Sequence, residues 1–309
     1  MSSNNSEVEA DARAEHKLCC ASCGIAEIDD IKLTECDGCD LVKYCSDNCK
    51  EEHRSEHEAM CKERAATLRD ELLFKQPEST HFGDCPICCV PLPIDEEKSG
   101  LYSCCSKVIC KGCDYTNRLR QFQENMQRTC PFCRHPVPRT EEELKKNLMK
   151  RVEAGDSVAL TDIGKMAREN GDYDGAFKYF TKAAELDDVD AHYELSVMHR
   201  EGHGVEKDEA KEMYHMEEAA IAGHPDARFN LACFEGWNGR FDRAAKHWII
   251  AANLGHSQSI KRLKEFYKNG DVSKEDFAAA LRAHHAAVKA MKSPQREAAE
   301  RAMAEVSER

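Results

Sequence analysis

The distribution of cysteine constrains the fold of this chain more than any other feature of its sequence. Seventeen of the 18 cysteines lie in the first 133 of 309 residues, and the other is Cys233. The first fifteen residues are polar and acidic with no apolar signal core, so we expect a protein of the cytosol or nucleus, where thiols stay reduced. Five Cys-x-x-Cys pairs therefore indicate zinc, because this gap lets two thiolates hold one tetrahedral ion. The pairs begin at Cys20, Cys36, Cys85, Cys110 and Cys130.

Charge and hydropathy exclude two classes of partner. The chain has 44 lysines and arginines against 57 aspartates and glutamates, a net charge of −13. This excess of negative charge argues against electrostatic binding of nucleic acid or anionic lipid as the main activity. No stretch approaches the roughly 18 consecutive apolar residues that a membrane span requires. We therefore expect proteins as partners, with no nucleic acid and no membrane.

The sequence predicts a mainly α chain in which two small binuclear zinc domains precede an α-solenoid. Residues 1–17 have the composition of a disordered segment. Thr140 and Glu143 form a capping-box pattern just after Pro136 and Pro138, which predicts that a helical region begins there. The predicted parts are a first cysteine module (18–62), a helical linker (63–81), a second cysteine module (82–138), repeats (139–273) and C-terminal capping helices (274–309).

The first cysteine module contains eight potential ligands in a regular order. On a helix, His57 and Cys61 lie one turn apart, a separation that one metal ion can bridge. The order, the gaps and the Tyr44-Cys45-Ser46 tripeptide resemble the MYND zinc finger. By that resemblance the two sites interleave, and His53 and Cys19 are not ligands. One zinc is then held by Cys20, Cys23, Cys45 and Cys49, and the other by Cys36, Cys39, His57 and Cys61.

The second cysteine module resembles a RING finger in its outer cysteine pairs and in its gaps. A RING usually supplies a histidine where this chain has Lys107, whose protonated amine has no lone pair to give. Cys104 is the best substitute, and the alternative is an incomplete second site. By the resemblance, Cys85, Cys88, Cys110 and Cys113 share one zinc, and Cys105, Cys130 and Cys133 join Cys104 on the other.

Three further positions of this module match the residues with which RING ubiquitin ligases contact a ubiquitin-conjugating enzyme. They are the apolar Ile87 inside the first pair, Pro131 inside the last pair, and Arg134 directly after the final cysteine. A RING supplies no nucleophile, so no catalytic side chain is expected, and its contribution is to position the reactants. The alternative is structural: Ile87 would be a core residue, Pro131 a turn former and Arg134 a solvated surface charge.

Residues 153–270 repeat with a period of 32 to 36 residues. Ala159, Ala191, Ala227 and Ser259 align, and each is followed four residues later by an apolar residue. Paired alanines in the second half of each unit allow neighbouring helices to approach closely. Two short helices, paired alanines and a closing glycine resemble Sel-1-like repeats, relatives of the tetratricopeptide class. The resemblance implies a stacked solenoid that holds protein partners.

These expectations combine into one functional hypothesis and one alternative. The hypothesis is a zinc-binding adaptor that resembles a RING-type ubiquitin ligase and holds about four zinc ions. The alternative is a non-enzymatic, zinc-dependent interaction scaffold. We set aside a thiol oxidoreductase, which needs one exposed pair on an α/β fold, and a SET-type methyltransferase, for which no catalytic segment is present.

Overall fold

A computed structural model describes residues 19–27 and 31–307 of the chain. The segment predicted to be disordered, 1–17, lies outside the described residues. The chain divides into two compact units, Met1–Lys75 and Gln76–Arg309. Among the described residues, no helix combines the length and the apolar character needed to cross a bilayer.

The first unit is built from a short hairpin and two helices. Strands β1 (Thr34–Glu35) and β2 (Lys43–Tyr44) pair antiparallel. Helix α1 (Asp47–Glu52) is followed by α2 (Arg54–Leu73). Because α2 begins at Arg54, the helix predicted for the linker is the continuation of the helix that carries the last two ligands of the first module. Leu33, Val42 and Tyr44, three of the unit's few buried apolar side chains, cluster with cysteines.

The second cysteine module places its cysteines around a hairpin and one helix. Strands β3 (Ser99–Tyr102) and β4 (Lys107–Cys110) pair antiparallel, with Tyr102 opposite Lys107. A 3-10 turn (Glu96–Lys98) precedes β3, and helix α3 (Lys111–Gln123) follows β4 directly. Leu92, Tyr102 and Ile109 form its small core together with four of the cysteines. Leu101 packs against a core cluster of the repeats, so the module is packed on the solenoid.

Eight consecutive helices build the repeat region, in agreement with the predicted mainly α fold. Aspartate caps the N-termini of four of them, whereas histidine caps two later ones. Each helix packs against the next along the chain. The helices are α4 (Glu141–Glu153), α5 (Ser157–Glu169), α6 (Tyr173–Ala184), α7 (Val189–Glu201), α8 (Glu209–Ile221), α9 (Pro225–Trp237), α10 (Phe241–Asn253) and α11 (Ser257–Asn269).

The positions that repeat in the sequence are the positions that are buried in the solenoid. Ala159, Ala191, Ala227 and Ser259 are all fully buried. The paired alanines of α8 and α10 are likewise fully buried, so the helices meet there without intervening side chains. The residues that close the units have left-handed backbone, with φ of 58° at Asp187, 92° at Gly223 and 99° at Gly255.

The two C-terminal helices have different surroundings. Helix α12 (Lys274–Ala290) packs against α10 and α11 and covers the end of the solenoid, as the sequence predicts. Helix α13 (Pro294–Ser307) packs against α3 of the second cysteine module instead of extending the solenoid. The prediction of a second capping helix therefore does not hold for α13, whose partner is about 180 residues earlier in the sequence.

The Thr140 cap predicted at the start of α4 is present, with Glu143 reaching back to the residue before the cap, and loss of the cap should have a measurable cost. Thr140 Oγ1 accepts a hydrogen bond from the Glu143 N–H at 3.2 Å, and Glu143 accepts one from the Arg139 N–H at 2.8 Å. We expect Thr140→Ala to lower the free energy of unfolding by about 1 kcal/mol, because a helix N–H loses its partner. Thr140→Ser should restore most of it in urea titrations of the zinc-loaded protein. Equal stability of T140A and wild type would contradict the prediction.

Candidate metal centres

The eight ligands predicted in the first cysteine module come together as two separate groups. In each group the ligand atoms lie within 4.8 Å of one another. The sites interleave along the chain as the MYND resemblance implies, because the first and third pairs share one site and the second and fourth share the other. The groups are Cys20, Cys23, Cys45 and Cys49, and Cys36, Cys39, His57 and Cys61.

Local structure explains how these residues are positioned. Cys45 follows β2 directly, and Ser46 caps α1, whose first turn carries Cys49. His57 and Cys61 both project from α2 and are four positions apart in sequence, so they lie on one helix face. The side chain of His57 is buried, whereas His53 makes a 3.1 Å contact with the Tyr44 hydroxyl and stays outside both groups.

Distances within the groups fit a metal ion and not disulfides. Cys23 Sγ lies 3.5 Å from Cys45 Sγ, and Cys36 Sγ lies 3.6 Å from Cys61 Sγ. Four ligands at about 2.3 Å from one tetrahedral zinc would be about 3.8 Å apart. A disulfide would bring the sulfurs to about 2.05 Å. None of the 18 cysteines forms a disulfide.

Electrostatics within the first group favour one thiolate at a time unless a cation is present. Burial opposes ionisation of Cys20, but backbone N–H groups of Cys23 and Cys45 lower its pKa to about 6. The neighbouring sulfurs of Cys23 and Cys49 raise the pKa of Cys45 to about 12. A divalent ion removes this conflict because its charge stabilises all four thiolates together.

The second cysteine module forms two more groups, which also interleave. The first contains Cys85, Cys88, Cys110 and Cys113, and in it Cys88 Sγ lies 3.9 Å from Cys110 Sγ. Backbone N–H groups point at two of these sulfurs: Cys110 N lies 3.5 Å from Cys85 Sγ, and Cys113 N lies 3.5 Å from Cys110 Sγ. Such donors favour the thiolate form that a metal requires.

The second group of this module includes Cys104, the residue that the sequence offers in place of the usual RING histidine. Cys104 Sγ lies 3.3 Å from Cys133 Sγ, and Cys105 Sγ lies 3.6 Å from Cys130 Sγ. Lys107 is exposed and takes no part in the group. The structure therefore brings together four potential ligands here: Cys104, Cys105, Cys130 and Cys133.

The three positions predicted to contact a conjugating enzyme differ in exposure. Ile87 is 44% exposed, which is not the environment of a core residue. Arg134 is exposed and has left-handed backbone with φ of 59°. Pro131 is half-buried in the turn between the last two cysteines.

Two features near the second module could not be found from sequence spacing. The guanidinium of Arg296 in α13 donates to the backbone carbonyls of Val90 and Pro91 and lies 3.8 Å from Cys88 Sγ. A further group of potential ligands consists of His81, Asp190 and His224. Their separations of 109 and 34 residues follow no ligand motif, so only the fold brings them together.

Comparison with protein families agrees with two of the resemblances. Residues 20–61 match the family model described as MYND finger. Residues 159–188, 189–224 and 225–256 match the model described as Sel1 repeat. The chain thus combines a zinc finger with Sel1 repeats. These matches leave residues 82–138 uncovered.

Solved structures with similarity to this chain include two Sel1-type proteins. The Sel1 repeat protein from Oxalobacter formigenes is 23% identical, with a TM-score of 0.43, over 56% of this chain and 71% of that one. A second is c5321, a protective antigen of uropathogenic Escherichia coli strains displaying an SLR fold. It is 17% identical, with a TM-score of 0.39, over 53% of this chain and 37% of that one.

Proposed function

We propose that this chain is a zinc-dependent adaptor whose second cysteine module acts as a RING-like ubiquitin ligase module. In this proposal the module recruits a ubiquitin-conjugating enzyme, while the repeats and the first module hold protein partners. The matches to the MYND finger and Sel1 repeats support the coarser part, a zinc-binding scaffold for protein interaction. The ligase part rests on the second module alone.

The observation that carries the ligase proposal is the complete ligand set of the second module. A RING needs eight ligands for its two interleaved sites, and the position of Cys104 supplies the eighth where Lys107 cannot. Together with the first module, this supports four zinc ions on the cysteine groups, counted in a variant such as His81→Ala that lacks the His81 side chain. A count of three would instead indicate that Cys104 leaves its site incomplete.

The proposed mechanism is positioning, with no covalent intermediate on this chain. Ile87 and Pro131 would contact the conjugating enzyme, and the exposure of Ile87 supports this role over a core role. Arg134 would contact both the enzyme and its bound ubiquitin, because a guanidinium has several fixed donors for two sets of carbonyls. Restricting the motion of the thioester would favour its attack by a lysine of the target.

Partners and location follow from the same features. The negative net charge argues against nucleic acid and anionic membranes, so we propose proteins as partners. The free thiols fit a reducing compartment, so we propose the cytosol or nucleus as location.

An in vitro ubiquitination assay with a panel of conjugating enzymes tests the ligase proposal. We expect chain formation with at least one enzyme, and we expect Ile87→Ala and Arg134→Ala each to slow discharge of the thioester. If each side chain stabilises the reactive complex by about 1.4 kcal/mol, its removal would slow the discharge roughly tenfold. Discharge of ubiquitin to free lysine is the direct measurement.

Matched control variants distinguish the loss of a contact with the conjugating enzyme from a general loss of protein stability. Ile25 is 45% exposed, nearly the same as Ile87, so Ile25→Ala should leave discharge unchanged. Arg262 of α11 has an exposed side chain and serves as the control for Arg134. Absence of chain formation with every enzyme, or equal rates in I87A, R134A and the controls, would remove the ligase proposal. The scaffold alternative predicts that result together with intact capture of protein partners.

A further inference from the structure

Three side chains from separate parts of the second unit meet where the second cysteine module lies against the repeats. His81 immediately precedes that module, Asp190 lies in the first turn of α7, and His224 is the N-cap of α9. The His81 N–H donates to the Gly223 carbonyl at 3.3 Å. A Cβ at residue 223 would lie 2.8 Å from the Ser79 carbonyl oxygen, so glycine permits this close approach.

The distances are those of donors arranged around one point. Asp190 Oδ1 lies 2.8 Å from His81 Nε2 and 3.7 Å from His224 Nε2. Nitrogen and oxygen ligands of a tetrahedral zinc, each at about 2.0–2.1 Å, would be about 3.3 Å apart, which is between these two values. The imidazole rings are stacked, with centroids 4.5 Å apart, and both present Nε2 to the same carboxylate oxygen.

Burial leaves these donors short of hydrogen-bond partners. The side chains of His81 and His224 are only 6% and 5% exposed. Neither ring nitrogen of His81 makes a hydrogen bond of acceptable geometry, and neither does Asp190 Oδ1, despite the short distance between them. A buried polar atom without a partner is costly, and a cation bound here would satisfy Nε2 of His81 and Oδ1 of Asp190.

The donor types also suit zinc. A carboxylate and a neutral imidazole are both zinc ligands.

The next repeat provides a natural comparison. His256 caps α11 as His224 caps α9, and His256 Nε2 lies 3.2 Å from Asp226 Oδ1. That pair has no third ligand, and it is not part of any group of three among the described residues. Contact between a histidine and an aspartate thus occurs in both consecutive repeats. Only the pair of His224 and Asp190 has His81 as a third potential ligand.

We propose that His81, Asp190 and His224 form a zinc site that fastens the second cysteine module to the repeats. His81 and Asp190 also line a cavity of about 430 Å³, which has room for a water molecule or ligand atom as a fourth donor. Binding at His224 Nε2 places the ring proton on Nδ1. The 3.4 Å contact of Nδ1 with the Ala227 N–H must therefore lengthen when zinc binds.

Zinc counting on the full-length protein tests this site. The protein is loaded with zinc, dialysed against reducing metal-free buffer, and measured by inductively coupled plasma mass spectrometry. We expect wild type to hold one zinc per chain more than His81→Ala and Asp190→Asn. His256→Ala, the matched control, should hold the same number as wild type.

Two further measurements keep the result unambiguous. Asp190→Asn is nearly isosteric, so its far-UV circular dichroism should match that of wild type even where H81A loses structure. In cobalt-substituted protein the sulfur-to-metal charge-transfer bands should be unchanged in D190N, which places the lost ion outside the cysteine groups. Equal zinc content in wild type, H81A and D190N would overturn the proposal and leave a buried ion pair between His81 and Asp190.

Discussion

Removal of zinc is expected to unfold the two cysteine modules while leaving most of the helical signal intact. The first unit has few buried apolar side chains, and all but Leu73 cluster with the sulfurs of Cys20 and Cys39. Helix α2, although 20 residues long, buries only His57 and Leu73. Zinc affinity, on the order of 10–16 kcal/mol in small fingers, therefore serves as the free energy of folding for this segment.

The repeats should behave differently because their stability comes from packing. Their core is made of buried aliphatic and aromatic side chains such as Leu195, Phe180 and Trp248, and none of the cysteine groups includes a residue after Cys133. Loss of the thiolate sites should therefore leave helices α5 to α11 folded. The far-UV circular dichroism at 222 nm should fall only by the share of α1 to α3 and of α13, which packs against α3.

Amide hydrogen exchange read by mass spectrometry resolves the two regions. A strong chelator in reducing buffer should remove protection throughout residues 31–75 and in most of 82–138, and leave the α5–α11 peptides protected. The same chelator presaturated with zinc is the control. Retained protection of residues 31–75 after complete metal loss would contradict the premise that zinc replaces an apolar core in this module.

The sequence predicts the cysteine ligands well because their chemistry depends on short spacings. Two cysteines separated by two residues face one ion almost regardless of the surrounding fold, and two residues four positions apart on a helix share one face. All eight candidate ligands of the first module accordingly come together. Cys104 is a harder case, since adjacent Cys104 and Cys105 must both turn towards one point. The left-handed backbone of Ser106, with φ of 53°, directly follows this pair and accommodates the tight turn before β4.

Repeat positions are predictable for a related reason. Equivalent residues of successive repeats have the same surroundings in a solenoid. An alanine that packs closely in one unit therefore predicts a buried alanine at the equivalent position of the next. The departure at α13 has no local cause. Its polar sequence is compatible with any exposed helix, and its position is set by Gly112, where a Cβ would lie 2.7 Å from the Arg296 backbone nitrogen. Contacts of this kind, between segments far apart in sequence, produce no motif or periodicity from which they could be predicted.

Replacement of Arg296 is expected to weaken the Cys85/Cys88/Cys110/Cys113 site from a distance of some 180 residues in sequence. Its side chain is buried, and its two terminal nitrogens donate to the carbonyls of Val90 and Pro91 at 3.0 and 2.7 Å. Arg296→Met would leave both carbonyls without these donors and remove a cation beside the thiolates. We expect a loss of about 3 kcal/mol in the stability of the second cysteine module.

Zinc release provides the readout that a purely local packing defect would not change. With a colorimetric chelator, R296M should release one zinc per chain faster than wild type, while the ions of the first module keep their rates. Arg296→Lys should be intermediate, because lysine keeps the charge but cannot donate to two carbonyls in fixed directions. Arg301→Met, on an exposed position of the same helix, is the matched control. Equal release from R296M and R301M would show that α13 only lies against the module and does not stabilise its metal site.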